Sequence, residues 1–406
     1  MRNGGAGGVD GMQTGELKAY LRDHWQELRK QILEGNYKPQ AVRKVEIPKP
    51  QGGIRMLGVP TVIDRLLQQA ISQWLSPKCE EEFSENSYGF RPKRSAHQAV
   101  LQAEQNLNEG YEWVVELDLE KFFDKVNHDK LMGLLAKKIG DKRTLKLIRA
   151  YLTSGIMEGG VVSPRREGTP QGSPLSPLLS NIVLHEMDKE LEKRKHRFVR
   201  YADDCSIYVK SEKSAHRVME SITEYIENRL KLKVNRTKSK VSKPWESTLL
   251  GFSFYRGKQG WTIRIASKSV ERMRKKIKEH TRRRDPTPTK DKIRKMEVII
   301  RGWVNYFAIA QANSKMRELD ELFRTRLRIG IWKQWKKSKT KRENLIKLGI
   351  SRQQAYQWSN TRKGPCRIAH SQILAVALKN EYFTRLGYIG FENSYKWQTQ
   401  LQGKIF

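Results

Sequence analysis

Apolar and polar positions along this chain follow two different periods before about residue 260 and one period after it. In the stretch Trp113–Leu119, Val115, Leu117 and Leu119 share one face while Val114, Glu116 and Asp118 share the other. That alternation predicts a strand that ends in a carboxylate. Val45–Leu57 reads as strand, turn, strand, with Gly52-Gly53 as the hairpin signal. Leu66, Leu67, Ala70, Ile71 and Trp74 recur at helical spacing. The segments 14–38, 95–109 and 128–152 also read as helical, and 86–92 as a polar loop. Gly168–Pro177 is a loop dense in Gly and Pro, followed by a helix from about Ser176 to Lys193. Arg197–Tyr201 and Cys205–Val209 predict two strands joined at Ala202-Asp203-Asp204. A helix over 214–230 and short strands at 248–256 and 261–266 follow. From about 267 the pattern is helical throughout. Met296, Ile299, Ile300, Trp303, Val304 and Phe307 fit one helix face, and Leu319, Leu322, Phe323, Leu327, Ile331 and Trp335 continue it beyond the Asp285–Thr289 break. A mixed α and β region therefore precedes a helical one, with a boundary near 260–267.

Charge sharpens this division. The chain has 406 residues and a formal net charge of +35, far more than solubility requires, and a polyanionic partner is the economical reason for it. Residues 1–260 carry 44 basic and 33 acidic side chains, whereas 261–406 carry 35 and 11, together with six of the ten tryptophans. Cations interleaved with aromatics suit phosphate neutralisation and base stacking. No run approaches the ~18 apolar residues of a membrane span, and the Gly-rich, polar stretch Met1–Met12 does not resemble a secretory signal. Cys79, Cys205 and Cys366 are too few and too scattered for a disulfide framework or a four-cysteine zinc site. A soluble protein of a reducing, intracellular setting is expected.

The sharpest local feature is Tyr201-Ala202-Asp203-Asp204. Adjacent acids at a hairpin tip are most often solvated turn residues. Between apolar strands they repel, and a divalent cation, which prefers carboxylate oxygens, relieves that repulsion. Asp118, at the end of its own strand 85 residues earlier, is the candidate third acid. Three carboxylates on neighbouring strands are what two-metal phosphoryl transfer requires. Lys49 and Arg55 in the hairpin would neutralise phosphates, Gly172 would let backbone approach a nucleotide, and Lys238 could donate a proton to pyrophosphate.

These residues resemble the group II intron reverse transcriptases, also called intron-encoded maturases. The similarity runs through Gly7–Met12, Ile47–Thr61, Ser87-Tyr-Gly-Phe-Arg-Pro92, Glu116–Asp124, Thr169–Pro177, Tyr201–Asp204, Leu232–Lys238, Leu249-Leu-Gly-Phe252 and Arg301–Phe307, in the family's order. Arg367-Ile-Ala-His-Ser and Lys379–Gly387 resemble the C-terminal region of class C members.

The resemblance implies an α+β, right-hand polymerase: fingers and palm with an antiparallel palm sheet over 1–260, an all-α thumb or maturase domain over 261–345, and a basic nucleic-acid-binding region over 346–406. It implies an RNA-directed DNA polymerase that extends a primer 3′-hydroxyl with two Mg²⁺ ions. The partners expected are group II intron RNA, an RNA template with DNA primer, dNTPs and a DNA target, with splicing and retrohoming assisted. A bacterial, cytoplasmic and nucleoid-associated location and no membrane follow. Asp118, Asp203, Asp204 and Leu119 match metal-site positions. Lys49, Arg55, Leu119, Phe123, Gln171 and Gly172 match the nucleotide pocket, with Phe123 as the ring that excludes a ribose 2′-hydroxyl and its neighbour Phe122 as core. Tyr201, Ala202 and Gly251 match primer or template positions. Arg91 either stabilises its loop or touches the duplex. Lys238 matches the proton-donating lysine, and Arg282-Arg283-Arg284 either contacts phosphate or is solvated helix surface. Trp303 and Tyr306 fit the thumb core. The chain begins almost at the Gly7–Met12 motif, so a shortened N-terminus is expected, and the region after the thumb shows no endonuclease pattern. A pure splicing factor, or a domesticated reverse transcriptase used in defence or DNA repair, is the competing reading.

Overall fold

A computed structural model describes residues 5–48, 52–283 and 285–402. Two compact units divide it, Met1–Ser247 and Thr248–Phe406.

In the first unit, α1 (Leu17–Leu33) leads into the hairpin β1 (Val42–Pro48) and β2 (Ile54–Val59), then α2 (Val62–Glu80) and α3 (Ala96–Asn108). Ser95 begins α3 with a reciprocal capping box to Gln98, which satisfies two otherwise orphaned amides. Then come β3 (Trp113–Leu117), α4 (Phe122–Lys125), α5 (His128–Ala136), α6 (Lys142–Thr153), β4 (Ile156–Glu158), β5 (Val161–Ser163), α7 (Ser176–Lys193), β6 (Arg197–Tyr201), β7 (Asp204–Val209), α8 (Glu212–Tyr225) and β8 (Lys240–Ser242).

The central sheet has the order β6-β7-β3-β8 and is antiparallel throughout. Its register sets Tyr201 opposite Asp204 and Leu117 opposite Cys205. Cys205, Ile207 and Val209 of β7 join Val115 and Leu117 of β3 in a core that α5, α7 and α8 complete through Leu131, Leu184 and Ile222. The opposite face carries Glu116, Ser206 and Tyr208, in keeping with the period of two. A second sheet, β2-β1-β4-β5, stands apart from the first.

Several features depart from the sequence expectation. The β4–β5 hairpin was not foreseen, because three-residue strands around Gly159-Gly160 are too short to show a period. The helix expected over 214–230 changes to a wider π turn at Ile226–Leu230 and stops at Lys231, whose φ is +57°.

The second unit opens with the hairpin β9 (Phe252–Gly257) and β10 (Gly260–Ile265), so the units part at 247/248 rather than near 260. The reason is packing. The Phe252 ring lies 4.9 Å from Phe307, and the Gln311 amide donates to the Ile263 carbonyl at 2.9 Å. The remainder is helical: α9 (Ser267–His280), α10 (Thr289–Phe307), α11 (Asn313–Gln334), α12 (Ser338–Lys347), α13 (Arg352–Ser359), α14 (Pro365–Ala369), α15 (Gln372–Ala377), α16 (Asn380–Arg385) and α17 (Gly390–Gln402).

The second unit continues across 345/346. The buried Asp320 carboxylate of α11 accepts from the Tyr388 hydroxyl and from the Phe391 and Glu392 amides. Glu297 of α10 accepts from the amides of Ile389 and Gly390. Two carboxylates thus cap the start of α17, where unpaired amides and the helix dipole favour negative charge.

Candidate active site

The β6–β7 turn and the end of β3 bring three acids to one rim of the central sheet. Asp118 follows β3 by one residue, Asp203 lies in the turn, and Asp204 opens β7. Their fields overlap. Burial, then the charges of Asp203, Asp118 and Glu116, push the Asp204 carboxyl up to about 6. Burial and Asp118 also raise Asp203, while Arg55 and Arg200 pull it back. Arg55, from the β1–β2 hairpin, therefore acts electrostatically on the acidic rim.

Asp118 is strapped to the segment that follows the π turn. Its amide donates to Ser239 Oγ at 3.0 Å, and its carbonyl accepts from the Asn235 amide at 2.8 Å. Lys238 Nζ stands 3.7 Å from Asp118 Oδ2. Leu119 buries its side chain in the core and bridges Val234, which leaves only its backbone for any contact at the rim.

Hard carboxylate oxygens crowded enough for their charges to raise Asp203 and Asp204 suit a divalent cation. Among the described residues, however, no group of three or more His, Cys, Asp or Glu is gathered closely enough to hold a metal ion. The ammonium of Lys238 is the cation beside Asp118.

A buried polar network, absent from the sequence reading, holds the turn. The Arg200 guanidinium is fully enclosed and pairs bidentately with Asp188 of α7, equally enclosed, at 2.7 and 2.5 Å. It also donates to Asn181 Oδ1 at 2.9 Å and to the Ala202 carbonyl at 3.0 Å. Ala202 has φ +59°, a left-handed conformation that side chains other than glycine rarely adopt, so the turn needs this external support. Asn181 Nδ2 donates to the Gly89 carbonyl at 2.8 Å, and the Tyr88 amide to the Arg200 carbonyl at 2.8 Å. A Cβ on Gly89 would fall 2.2 Å from the Ala202 nitrogen, so only glycine fits. A signal was present in the sequence: an Arg inside the apolar strand Phe198–Tyr201, and an Asp on the apolar side of α7.

Arg91 takes the loop-stabilising place. Buried, it bonds the Ser84 and Ser87 carbonyls and the Glu80 carboxylate, which leaves no free face for a duplex. Tyr201 is half-buried opposite Asp204. Cys205 is buried, its thiol pushed well above the ordinary range by that burial.

The second group is assembled around Gln171. Phe122 is buried, and Phe123 packs edge-on against it at 5.3 Å while remaining partly exposed. The Phe123 carbonyl accepts from the Thr169 amide at 2.6 Å. The Gly58 amide of β2 donates to the Gln171 carbonyl at 2.8 Å. Gly172 has φ +111°, and a Cβ there would lie 2.9 Å from the Gly58 carbonyl oxygen. The loop is thus pinned to the Phe123 segment on one side and to the β1–β2 hairpin on the other.

Lys49 and Arg284 lie outside the described residues. Gly251 lies in the second unit, with φ +86°, beside a groove of about 680 Å³ that Arg272, Lys276, Trp303 and Tyr306 help to line. Trp303 packs on Phe307 at 4.8 Å, and the Tyr306 hydroxyl donates to the Leu250 carbonyl at 2.9 Å. Among the described residues no helix is long and apolar enough to cross a membrane.

Residues 47–254 match the family described as reverse transcriptase (RNA-dependent DNA polymerase), and residues 270–349 match the group II intron, maturase-specific domain. Protein YkfC of Escherichia coli (strain K12) is 35% identical over 272 residues, which is 58% of this chain and 71% of that protein. Group II intron-encoded protein LtrA of Lactococcus lactis subsp. cremoris is 37% identical over 193 residues, 47% of this chain but only 31% of that protein. Among solved structures, a chain of a partial Cas6-RT-Cas1–Cas2 complex is 30% identical with a TM-score of 0.33, over 52% of this chain and 38% of that one.

Proposed function

The chain belongs to the group II intron family of reverse transcriptases, and from that premise we propose that it extends a DNA primer on an RNA template at the rim formed by Asp118, Asp203 and Asp204. The crowding of charge at this rim, where Asp118 acts on both Asp203 and Asp204 and burial raises both carboxyls, is the observation that supports this reading most directly. Asp118, Asp203 and Asp204, not gathered into a metal-holding group among the described residues, supply with the Leu119 backbone the hard oxygens that two Mg²⁺ ions would draw together. When bound, these ions supply Lewis-acid activation of the primer 3′-hydroxyl and charge neutralisation at the triphosphate.

The chain's own residues do the rest. Arg55, whose charge reaches Asp203, neutralises triphosphate oxygens together with Lys49. The rigid Gln171–Gly172 backbone receives the nucleotide, and the partly exposed ring of Phe123 excludes a ribose 2′-hydroxyl. Ala202, held by Arg200, lies against the primer end beside Tyr201, and Gly251 supports the primer strand. Lys238 leaves Asp118 and gives its proton to the departing pyrophosphate. The acids, rather than the cations, set this reading apart from a pure splicing factor, since RNA binding requires no converging carboxylates.

The maturase-specific match over 270–349, and the net charge of +24 carried by 261–406, support a second role for the helical unit in binding group II intron RNA during splicing and retrohoming. The DNA target enters by the same backbone-directed contacts, and the protein works in the bacterial cytoplasm at the nucleoid.

Primer extension on a long RNA template tests the proposal. The wild-type protein extends with Mg²⁺ and dNTPs, while Asp203→Ala does not, at unchanged RNA affinity. Extension by Asp203→Ala removes the catalytic assignment. Loss of extension in both proteins, with RNA binding intact, makes the chain a splicing factor.

A further inference from the structure

The contact between the Phe123 segment and the loop ahead of Gln171 depends on a residue with no role so far. His128, the first residue of α5, is 3% exposed, and its Nε2 lies 2.7 Å from the Gly168 carbonyl oxygen. Gly168 in turn donates its amide to the Val126 carbonyl at 2.8 Å, and the next amide, of Thr169, donates to the Phe123 carbonyl at 2.6 Å. The approach leaves no slack. Gly168 has φ +84°, and a Cβ on it would lie 2.7 Å from the Asp124 carbonyl oxygen and 2.8 Å from that of Phe123. The imidazole is itself fixed by its place at the start of α5, where Asn127 caps the helix through the Lys130 amide at 2.9 Å. Burial holds the ring below its ordinary pKa, hence neutral, so the nitrogen facing the carbonyl carries the single proton and donates it.

We propose that His128 is a positioning residue for sugar selection: by clamping the Gly168 carbonyl it locks the Thr169–Phe123 backbone bond, and with it the distance between the Phe123 ring and the Gln171–Gly172 platform. This inference rests on the reading of Phe123 as the ring that excludes a 2′-hydroxyl. A steric filter of one oxygen atom fails when its wall moves by a fraction of an ångström, so the support behind the wall sets selectivity as much as the wall does. Removing the clamp loosens discrimination without removing any group that touches the nucleotide.

Single-nucleotide incorporation of dATP and of ATP, on one RNA template and DNA primer, tests this with wild type, Phe123→Ala, His128→Ala, His128→Asn and His128→Gln. Phe123→Ala lowers the dATP/ATP ratio most. His128→Ala lowers it about tenfold through faster ATP incorporation, with kcat/KM for dATP within about threefold of wild type. His128→Gln, which can still present an N–H to Gly168, restores the ratio, and the shorter His128→Asn gives an intermediate value. A wild-type ratio in His128→Ala, with Phe123→Ala relaxed, overturns the positioning role and leaves the gate standing. An equal loss for both nucleotides in His128→Ala is damage to the fold and also overturns it. An unchanged ratio in Phe123→Ala overturns the gate, and the inference falls with it. Should His128→Ala not fold, His128→Asn decides: a ratio equal to that of wild type refutes the clamp.

Discussion

The two units use buried polar groups for opposite ends. In the first, enclosed side chains such as Arg200 and Asp188 hold backbone in place around a partly buried rim of like charges. In the second, the enclosed carboxylate of Asp320 and the half-buried one of Glu297 close the start of α17, and most of the cations face outward. One unit concentrates repelling acids where geometry must be exact to a fraction of an ångström. The other disperses positive charge where a phosphate backbone demands only sign and spacing. The difference teaches that net charge locates the partner, whereas the groups working against the local field locate the chemistry.

The comparison breaks most visibly at the acids. Asp118→Ala or Asp203→Ala lowers primer extension by at least about a thousandfold, while affinity for RNA stays within about twofold. A parallel loss of RNA binding would erase the division of labour. Next in size, Asp320→Ala leaves a tyrosine hydroxyl and two helix amides without an acceptor, and costs about 3 kcal/mol. Hydrogen exchange then shows residues 390–402 opening first, with the amides of the central sheet still protected.

A third test concerns sign. The Asp204 carboxyl has a higher pKa folded than unfolded, so it favours the folded state only while protonated, and that contribution is lost as pH rises from about 4 to about 6. Asp204→Asn therefore stabilises the metal-free protein at pH 7, by less than the full shift would give because the carboxylate is solvent-accessible. The gain fades below pH ~4 and shrinks when Mg²⁺ is added, which calorimetry across pH would read. The smallest effect belongs to the helical unit. Arg272→Ala or Lys276→Ala weakens binding to an RNA–DNA duplex by about 1 kcal/mol and flattens the salt dependence by about one unit of slope. An unchanged slope would place the duplex elsewhere.

Much of the central sheet could be read in the chain beforehand. β7 alternates Cys205, Ile207 and Val209 with Ser206 and Tyr208, β3 alternates Val115 and Leu117 with Glu116, β6 shows as a short apolar run, and α7 begins and ends where the Gly168–Pro177 loop and the Lys193 boundary set it. The acids stood out because they interrupt apolar strands. Other features left single odd residues in the sequence but not their partners. Arg200 and Asp188 are in different elements, and their pairing follows from the packing of β6 on α7, which no local window contains. Between loop support and duplex contact, the sequence does not decide for Arg91, because the carbonyls that occupy it, Ser84 and Ser87, are ordinary loop positions. The unit boundary moved because the β9–β10 hairpin is alternating in pattern, like the region before it, yet packs against the helices that follow.

The network behind the β6–β7 turn also has a consequence for the order in which the protein acquires its shape. Ala202 rests on a side chain anchored in α7 and on a glycine more than a hundred positions earlier in the chain. None of these contacts is available to a hairpin forming alone. The β6–β7 ribbon can pair early, since its partners are neighbours in sequence, but its tip takes the left-handed conformation only after the 84–91 loop and α7 have docked. On the proposed reading, capacity for synthesis is thus acquired only with these long-range contacts of the first unit, and a nascent or partly unfolded chain presents its acids without the geometry to use them.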